Sequence, residues 1–301
     1  MKENQASFSA MMTAYIRAYH SMHDTPKIFD DFLAYRLIPQ EVLTLIEQGL
    51  NRDKQFNDLE NTVVSNQKTT LSSLTKITNV LSRARYTEDA LEKAVRQGVK
   101  QYVILGAGMD TFAFRRPEMM NCLEVFEVDH PATQNLKLLR LSELGWEHPE
   151  HLHFIPIDFT KENLTTALTR SSAYDSNIKS FFSWLGVTMY LTREEVFKTL
   201  RSITVIAPKG SVVIFDYLDS DAFIPEKSSP KMQKKQELFQ KFGEKMITGF
   251  NPSTLEEDIA SLGLSLHENL SPEDIEKLYF QGRKDGHHAA EHGHIAYAIV
   301  Q

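Results

Sequence analysis

The spacing of hydrophobic residues along the chain changes near residue 100. Before that point, apolar side chains recur at steps of three and four, a spacing typical of amphipathic helices. The first such run is Met11, Met12, Tyr15, Ile16 and Tyr19. We predict helices within residues 7–50 and again from Leu74 to Val95, with Gly98 placed to end the second. The polar segment 51–73 separates the two helical parts.

Beyond residue 100, short apolar runs alternate with helical segments. The predicted strands are 101–105, 123–128, 152–157, 179–185, 210–217, 263–268 and 293–300. The predicted helices lie near 112–116, 131–144, 160–170, 192–206 and 253–262. This alternation predicts an α/β fold, with a Rossmann-like, seven-stranded, mostly parallel sheet flanked by helices. We therefore expect a helical cap over residues 1–98 and a cofactor-binding domain over 99–301.

Residues 219–250 interrupt the alternation before the sixth strand. Ser228-Ser-Pro230 leads into Lys231–Met246, which has the pattern of a basic amphipathic helix. An insertion at this point would overhang the carboxyl edge of the sheet, where ligands bind in open α/β folds. Two interpretations stay open: a helical lid, or a solvated charged face, which the composition favours.

Composition narrows the class of partner. The formal net charge is −7, which opposes non-specific binding to nucleic acid and gives no support for docking on anionic membranes. A small-molecule substrate fits better. Cys122 is the only cysteine, so no intrachain disulfide can form, and we expect a cytoplasmic protein. No apolar run approaches the roughly 18–20 residues that span a bilayer, and the N-terminus does not have the pattern of a signal peptide.

The candidate chemistry begins at the glycine turn in Val103-Ile-Leu-Gly106-Ala-Gly108-Met-Asp110-Thr111. Glycines there let the backbone approach a ligand closely. Asp129 ends the next predicted strand and can accept hydrogen bonds from a ribose diol. A dinucleotide fingerprint needs a third glycine, where this chain has Thr111, so pyrophosphate binding is weakly supported. A glycine turn alone also fits a tight connection without ligand.

The third predicted strand adds Asp158 and Phe159. An acid at this place can accept from an adenine amino group, and the neighbouring aromatic ring can flank the base. Asp158 could equally cap the helix that follows. A glycine turn, a ribose acid and an adenine acid on three successive strands suit S-adenosylmethionine, which has a ribose and an adenine but no phosphate.

At these residues the chain resembles the class I S-adenosylmethionine-dependent methyltransferases, and more narrowly the leucine carboxyl methyltransferase family with its bacterial relatives. The matching blocks span about residues 80–195. They are Arg83-Ala-Arg85-Tyr86, Gly106-Ala-Gly-Met-Asp110-Thr with Arg115, Phe126-Glu-Val-Asp129-His-Pro131 with Lys137, and Ser183-Trp184-Leu-Gly186-Val-Thr-Met-Tyr190-Leu.

The resemblance implies a role for each block. Arg83, or failing that Arg85, would bind the methionine carboxylate of the cofactor, and Tyr190 would close that end. Leu185 stands where the protein-modifying branch has an acid, which favours the small-molecule branch. Ala84 is a second departure, since many bacterial relatives have threonine there. The predicted cofactor contacts are Arg83, Arg85, Gly106, Ala107, Gly108, Asp110, Glu127, Asp129, Asp158, Phe159, Trp184, Leu185 and Tyr190.

Structural alternatives accompany several of these residues. Arg83 and Arg85 could be charges on a helix surface, and Trp184 and Tyr190 could be core aromatics. Asp110 could cap a helix. Arg115 could pair with Asp110 or Glu127.

The favoured function is methyl transfer to an oxygen, a carboxylate or acidic hydroxyl, of a small molecule. The alternatives are a nicotinamide-dependent oxidoreductase and a non-catalytic module that binds S-adenosylmethionine. No residue stands out as a general base, which mildly favours an ionised acceptor. Tyr279 or Phe280 could line the acceptor pocket. We predict no metal site, although His287, His288, His292 and His294 are spaced closely enough to suggest one.

Overall fold

A seven-stranded sheet forms the centre of the computed structural model, which describes residues 6–48 and 79–301. The strand order is β3-β2-β1-β4-β5-β7-β6. The strands are β1 Gln101–Leu105, β2 Glu124–Asp129, β3 Leu152–Pro156, β4 Ser180–Trp184, β5 Val212–Leu218, β6 Leu264–Leu270 and β7 Gly293–Val300. The predicted polar segment 51–73 and the predicted helix start at Leu74 lie outside the described residues.

Five strands pair in parallel, and the last strand runs against its neighbours. β1 pairs in parallel with both β2 and β4. β7 inserts between β5 and β6 and is antiparallel to both, with Phe215 opposite Ala296. The predicted Rossmann-like, mostly parallel sheet is confirmed. The direction of β7 is a finding of the structure, since the sequence did not indicate it.

Helices cover both faces of the sheet. Ahead of β1 lie Phe8–His23, Ala34–Leu37, a helix over 40–48, and Asn79–Arg96. The later helices are Phe112–Arg115, Pro117–Met120, Pro131–Glu143, Leu164–Thr169, Arg193–Ile206, Pro230–Lys241, Leu255–Ala260 and Pro272–Ile275. Short 3-10 turns form at Thr188–Tyr190 and Ser220–Phe223, and a π-helical turn forms at Glu276–Phe280.

Local capping explains where the predicted ends shift. Gly98, at φ +95°, ends the long helix Asn79–Arg96 as predicted. The helix predicted from residue 160 begins only at Leu164, because Asn163 is its N-cap and accepts from the Thr165 N–H at 2.8 Å. The insertion helix Pro230–Lys241 stops short of Met246, because Gly243 adopts φ +82° just beyond it.

Alternation along the strands produces a core on each face of the sheet. Val103 and Leu105 belong to one buried cluster, and Tyr102 and Ile104 belong to the other. A separate cluster joins the insertion to the sheet edge through Met189, Leu218, Met232, Phe239 and Met246. Burial of a Met or Phe side chain contributes about 1.5–3 kcal/mol. The insertion helix is therefore packed on one side, and a solvated charged face describes only its other side.

Within residues 6–48 and 79–301, no helix combines the length and the apolar character needed to cross a bilayer.

Candidate cofactor and acceptor site

A cavity of about 490 Å³ lies at the carboxyl ends of β1, β2 and β4. Its floor is the glycine turn after β1 and the residues that follow β2, β3 and β4. Its roof comes from the N-terminal helix Phe8–His23 and from residues 244–245 of the insertion. The volume falls within the range of small-molecule and cofactor sites.

Two glycines shape the cavity floor. Gly106 and Gly108 adopt φ values of +70° and +53°, a region that side chains with a Cβ rarely enter. A Cβ at Gly106 would overlap the Val187 side chain, and one at Gly108 would stand 2.9 Å from the Cβ of Ala10. The backbone of β1 can therefore turn beneath the cavity and approach the N-terminal helix only with glycine at both places.

Asp129 presents a carboxylate to the cavity at the end of β2. One oxygen accepts the Gly108 N–H, and the other accepts the His130 N–H at 2.6 Å. Burial raises the pKa of Asp129, and these two N–H groups oppose that rise. Each carboxylate oxygen has a second acceptor position, so the side chain can still accept from two hydroxyl groups.

Glu127, two residues earlier on β2, was predicted to contact the cofactor, but it does not line the cavity. It is buried beneath the glycine turn in an ion pair with Lys137, whose ammonium also donates to the Asp110 carbonyl at 2.6 Å. Burial raises the pKa of Glu127 to about 7, although the Lys137 charge opposes the rise. Glu127 therefore supports the turn from below and cannot touch a ligand in the cavity.

At the end of β3, Asp158 and Phe159 both line the cavity. Asp158 accepts from the Thr160 N–H at 3.0 Å and from its hydroxyl at 2.6 Å. Burial acts against ionisation, but these hydrogen bonds lower the pKa of Asp158. The helix that follows is capped by Asn163, so the alternative that Asp158 caps it is wrong.

His130 also lines this end of the cavity and was missed as a site residue. Its Nδ1 accepts the Ala132 N–H at 3.3 Å and caps the helix Pro131–Glu143, so in the neutral ring the proton is on Nε2. That Nε2 lies 3.8 Å from Asp158 Oδ2. The available signal was the His130-Pro131 pair, since proline is favoured at the first position of a helix.

Arg83 reaches the opposite end of the cavity. The residue is buried, and its Nη1 lies 2.6 Å from Asp216 Oδ2 on β5. The other oxygen of Asp216 accepts the Gly186 N–H at 2.5 Å. A Cβ at Gly186 would stand 2.5 Å from Arg83 Nη2, so glycine is needed for this approach. The surface-charge alternative is wrong for Arg83.

Arg85 and Trp184 lie outside the cavity lining. Arg85 is half exposed on the far side of the long helix and pairs with Asp89 at 2.8 Å. Residues two apart on a helix do not share a face, so Arg83 and Arg85 cannot both reach the site. Trp184 is fully buried in the core cluster, as its structural alternative states, while Ser183 and Leu185 on either side of it line the cavity.

The remaining predicted contacts also line the cavity. They are Gly106, Ala107, Gly108, Asp110 and Tyr190, with Leu185 beside them. Asp110 also accepts the Phe112 N–H at 2.7 Å, a contact within the turn that precedes the short helix, whose N-cap is Thr111. Tyr190 has a raised pKa, first because it is buried and then because Glu244 carries a negative charge nearby.

Two helical elements that the sequence did not connect close over Tyr190. Glu244 of the insertion accepts the backbone N–H groups of Phe8 at 2.7 Å and Ser9 at 2.9 Å. The rings of Phe8 and Phe242 stack with centroids 3.6 Å apart. Residues from the first turn of the N-terminal helix and from the insertion therefore share one edge of the cavity.

Arg17 belongs to an ionic network on the cavity wall that Phe29 and Glu88 also line. It donates to Asp31 at 2.8 Å and to the Met109 carbonyl at 2.8 Å, and it lines the cavity with Phe29 and Glu88. Arg115 pairs with Glu88 and lies 3.8 Å from Asp31. The predicted pairing of Arg115 with Asp110 or Glu127 is therefore wrong.

Two other predictions concern the C-terminal region. Phe280 is buried in the core cluster, and Tyr279 packs against that cluster, so neither lines the cavity. The four histidines contact three different acids: His287 contacts Asp24, His288 contacts Glu276, and His292 and His294 share Asp219.

His20, Asp24 and His287 are close enough to suggest a metal site, with ligand atoms within 4.8 Å of one another. However, His20 Nε2 accepts the Ile28 N–H at 2.7 Å, so Nδ1 is the protonated nitrogen of the neutral ring and donates to Asp24. Metal binding through Nδ1 would require the opposite tautomer. The three side chains therefore form a hydrogen-bonded link between the end of the N-terminal helix and the C-terminal region.

Comparison with known proteins supports the family resemblance described from the sequence. The family model described as leucine carboxyl methyltransferase matches residues 10–204. The Bacillus subtilis (strain 168) protein YktD, provisionally named an S-adenosyl-L-methionine-dependent methyltransferase, is 39% identical over 304 aligned residues, covering 99% of each chain. A Mycobacterium tuberculosis (strain H37Rv) relative with the same provisional name, Rv3399, is 26% identical and covers 78% of this chain and 65% of its own length.

Solved structures agree in fold. A provisionally assigned methyltransferase from Thermobifida fusca superposes with a TM-score of 0.57 at 13% identity, covering 100% of this chain and 97% of its own. A DUF574 family protein from Streptomyces avermitilis superposes with a TM-score of 0.57 at 12% identity, covering 99% of both chains. The comparisons confirm S-adenosylmethionine as the cofactor and methyl transfer as the activity, in preference to the nicotinamide alternative. The chain belongs to the leucine carboxyl methyltransferase family.

Proposed function

We propose that this chain transfers a methyl group from S-adenosylmethionine to an oxygen, a carboxylate or acidic hydroxyl, of a small-molecule metabolite. The observation that carries this proposal is a cavity whose floor suits the cofactor and on whose remaining wall, among the residues that the structure describes, Glu88 and Glu244 are held in ion pairs or hydrogen bonds. The proposal includes a cytoplasmic setting, which the single cysteine suits, and no role for nucleic acid, which the net charge of −7 opposes.

The cavity floor fits the parts of the cofactor in order. Asp158 and Phe159 would hold adenine, and Asp129 would accept from the ribose hydroxyls with its two unused acceptor positions. The glycine turn would lie against the middle of the ligand. Arg83 and Tyr190 would face the methionine end. When bound, S-adenosylmethionine supplies an electrophilic methyl carbon on a positively charged sulfur.

The protein residues would act mainly through position. Methyl transfer is an in-line displacement, which requires the acceptor oxygen about 3–3.5 Å from the methyl carbon. Leu185, Val187 and Phe29 give the cavity wall apolar stretches that exclude water. The N-terminal helix and residues 244–245 would close the opposite side. In this proposal, the cap over residues 1–98 and the insertion 219–250 serve as covers for a cofactor domain over 99–301.

The acids and phenols near the acceptor wall are poorly suited to remove a proton. Glu88 is held in ion pairs with Arg115 and Arg116. Burial raises the pKa of Tyr102 far above its ordinary value, so its phenol stays protonated. An acceptor that is already ionised needs no such base. Arg17, on the same wall, offers a positive charge that suits an anionic acceptor.

The chemistry of the methylated product tests this proposal. The protein is incubated with S-adenosylmethionine carrying an isotopically labelled methyl group and with fractionated metabolite extracts, and labelled products are isolated. A product whose label is released as methanol by mild base is an ester, and a base-stable product with an aryl or enol ether signature is an ether. Either supports the proposal. Label found only on nitrogen, sulfur or carbon would overturn oxygen as the acceptor atom.

A further inference from the structure

A small pocket of about 30 Å³ continues the main cavity behind Arg83. Its lining includes Ser9, Thr13, Arg83, Gly186, Tyr190 and Lys235. All of these except Lys235 also line the main cavity. The pocket therefore extends the end that we assign to the methionine part of the cofactor, and the insertion helix contributes Lys235 to it.

The charges around this pocket do not balance without a ligand. The Arg83 charge is matched by Asp216 at 2.6 Å, and that carboxylate is further committed to the Gly186 N–H. Lys235 is half-buried, and its ammonium has no hydrogen-bond or ion-pair partner within residues 6–48 and 79–301. One positive charge is left over. Removing an ammonium from water without a partner is costly, and an anion beside it would offset that cost.

The surroundings of Lys235 explain its titration. The pKa of Lys235 is lowered to about 8, first by burial and then by the positive charge of Arg83; Asp216 opposes this shift, and Lys231 adds to it. Tyr190 faces the pocket as a neutral phenol, because its pKa is raised. The N-terminal helix contributes only hydroxyl and apolar side chains, including Ser9 and Thr13.

We propose that Lys235 supplies the second positive charge that holds the α-carboxylate of the methyl donor, opposite Arg83. This inference rests on the proposed function. Arg83 is on the long helix and Lys235 is on the insertion helix, so the carboxylate would join the two elements. A donor with its amino-acid end intact then adds a link between these two elements, whereas a ligand that lacks the carboxylate does not.

Isothermal titration with two ligands tests this role. S-adenosylmethionine has the carboxylate, and 5′-methylthioadenosine keeps the adenosyl thioether without it. In Lys235→Gln we expect S-adenosylmethionine to bind about 10- to 100-fold more weakly, the range for losing a hydrogen bond between charged groups. 5′-Methylthioadenosine should bind as in the wild type, which also shows that the variant is folded. Lys235→Arg should restore most of the affinity.

Lys241 provides the matched control, since it is an exposed lysine on the same helix. Lys241→Gln should bind both ligands as the wild type does. Equal losses for both ligands in Lys235→Gln, or no loss for either, would overturn the assignment. A normal donor affinity combined with a raised KM for the acceptor would also overturn it, since the carboxylate would then be that of the acceptor.

The pH dependence of binding is a second test, because a lysine with only a structural role would leave it unchanged. The affinity of the wild type for S-adenosylmethionine should fall as pH rises through about 8, because the ammonium of Lys235 is lost. The donor amino group titrates in the same way in both proteins, so the difference between the wild-type and Lys235→Gln profiles reports the lysine. Superimposable profiles would refute the role. A wild type that binds 5′-methylthioadenosine but not S-adenosylmethionine would instead refute the proposed function.

Discussion

The Glu244 carboxylate accepts a hydrogen bond from the backbone N–H of Phe8 at 2.7 Å, across 236 residues of sequence. Phe8 begins the N-terminal helix, whose first N–H groups have no partner within the helix. The insertion therefore caps this helix with a buried negative charge, at the place where the two elements meet over the cavity.

We expect Glu244→Ala to lower the free energy of unfolding by about 1–2 kcal/mol, because a cap and its favourable interaction with the helix dipole are both lost. Urea denaturation of the cofactor-free protein measures this. Glu237→Ala, at an exposed position on the insertion helix, is the control and should change stability by less than about 0.5 kcal/mol. Equal effects of the two substitutions would contradict the capping role.

Arg83 and Arg85 provide a matched pair two residues apart on one helix. Arg83→Ala leaves the buried carboxylate of Asp216 without its partner and should cost about 3–5 kcal/mol of unfolding free energy. Arg85→Ala breaks only an exposed pair with Asp89 and should cost less than about 1 kcal/mol. In variants that remain folded, Arg83→Ala should weaken S-adenosylmethionine far more than adenosine. A larger effect from Arg85→Ala on either measurement would contradict the geometry.

Asp129→Ala should weaken the binding of S-adenosylhomocysteine by about 1.5–3 kcal/mol, the range for hydrogen bonds to a charged group. The substitution also removes the contact between Asp129 and the Gly108 N–H, and thereby a support of the glycine turn. A 2′-deoxyribose analogue separates the two contributions. The wild type should bind this analogue more weakly than it binds S-adenosylhomocysteine. Asp129→Ala should bind the two ligands with equal affinity. An unchanged dissociation constant in a folded variant would contradict the ribose role.

The raised pKa of Glu127 should make the protein less stable as pH rises, whereas most carboxylates have the opposite effect. Its pKa in the folded protein is raised from 4.5 to about 7. Between these values the folded protein binds more protons than the unfolded chain, so this residue makes stability fall as pH rises through that window. Urea denaturation between pH 5 and 7 should show a wild-type stability that falls relative to Glu127→Gln. A difference that stays constant or rises would show that the Lys137 pair keeps Glu127 ionised.

Strand positions and the residues at strand ends could be predicted because they follow from local pattern. The predicted strands agree with β1 to β7 within two residues at every end, and Gly106, Gly108, Asp129 and Asp158 line one cavity. These residues follow apolar strands directly, and the ends of parallel strands meet at one edge of a sheet. The hydrophobic period of the strands and the parallel topology were therefore sufficient to predict which residues form the cavity floor.

Three predicted contacts lie outside the cavity lining for geometric reasons. Arg85 has the wrong phase on its helix, and Trp184 points to the face of β4 opposite Ser183 and Leu185. Glu127 lies one pleat deeper than Asp129 and is covered by the turn. A match of motif blocks treats neighbouring residues alike, whereas helical phase and strand alternation separate them.

The roof of the cavity could not be predicted, because it depends on contacts between distant segments. Ser9, Arg17, Glu244 and Lys235 meet the floor only after the N-terminal helix and the insertion pack onto the sheet edge. Neither helical periodicity nor composition specifies that packing. Burial of Met232 and Phe239 fixes the position of the insertion helix and thereby places Lys235 beside Arg83.

A crystal structure with S-adenosylhomocysteine bound tests the central claim most directly. The account predicts ribose hydroxyls on the Asp129 carboxylate, adenine beside Asp158 and Phe159, and the ligand carboxylate between Arg83 and Lys235. A nucleoside seated elsewhere, or a carboxylate turned toward Arg17 with Arg83 still paired only to Asp216, would contradict it.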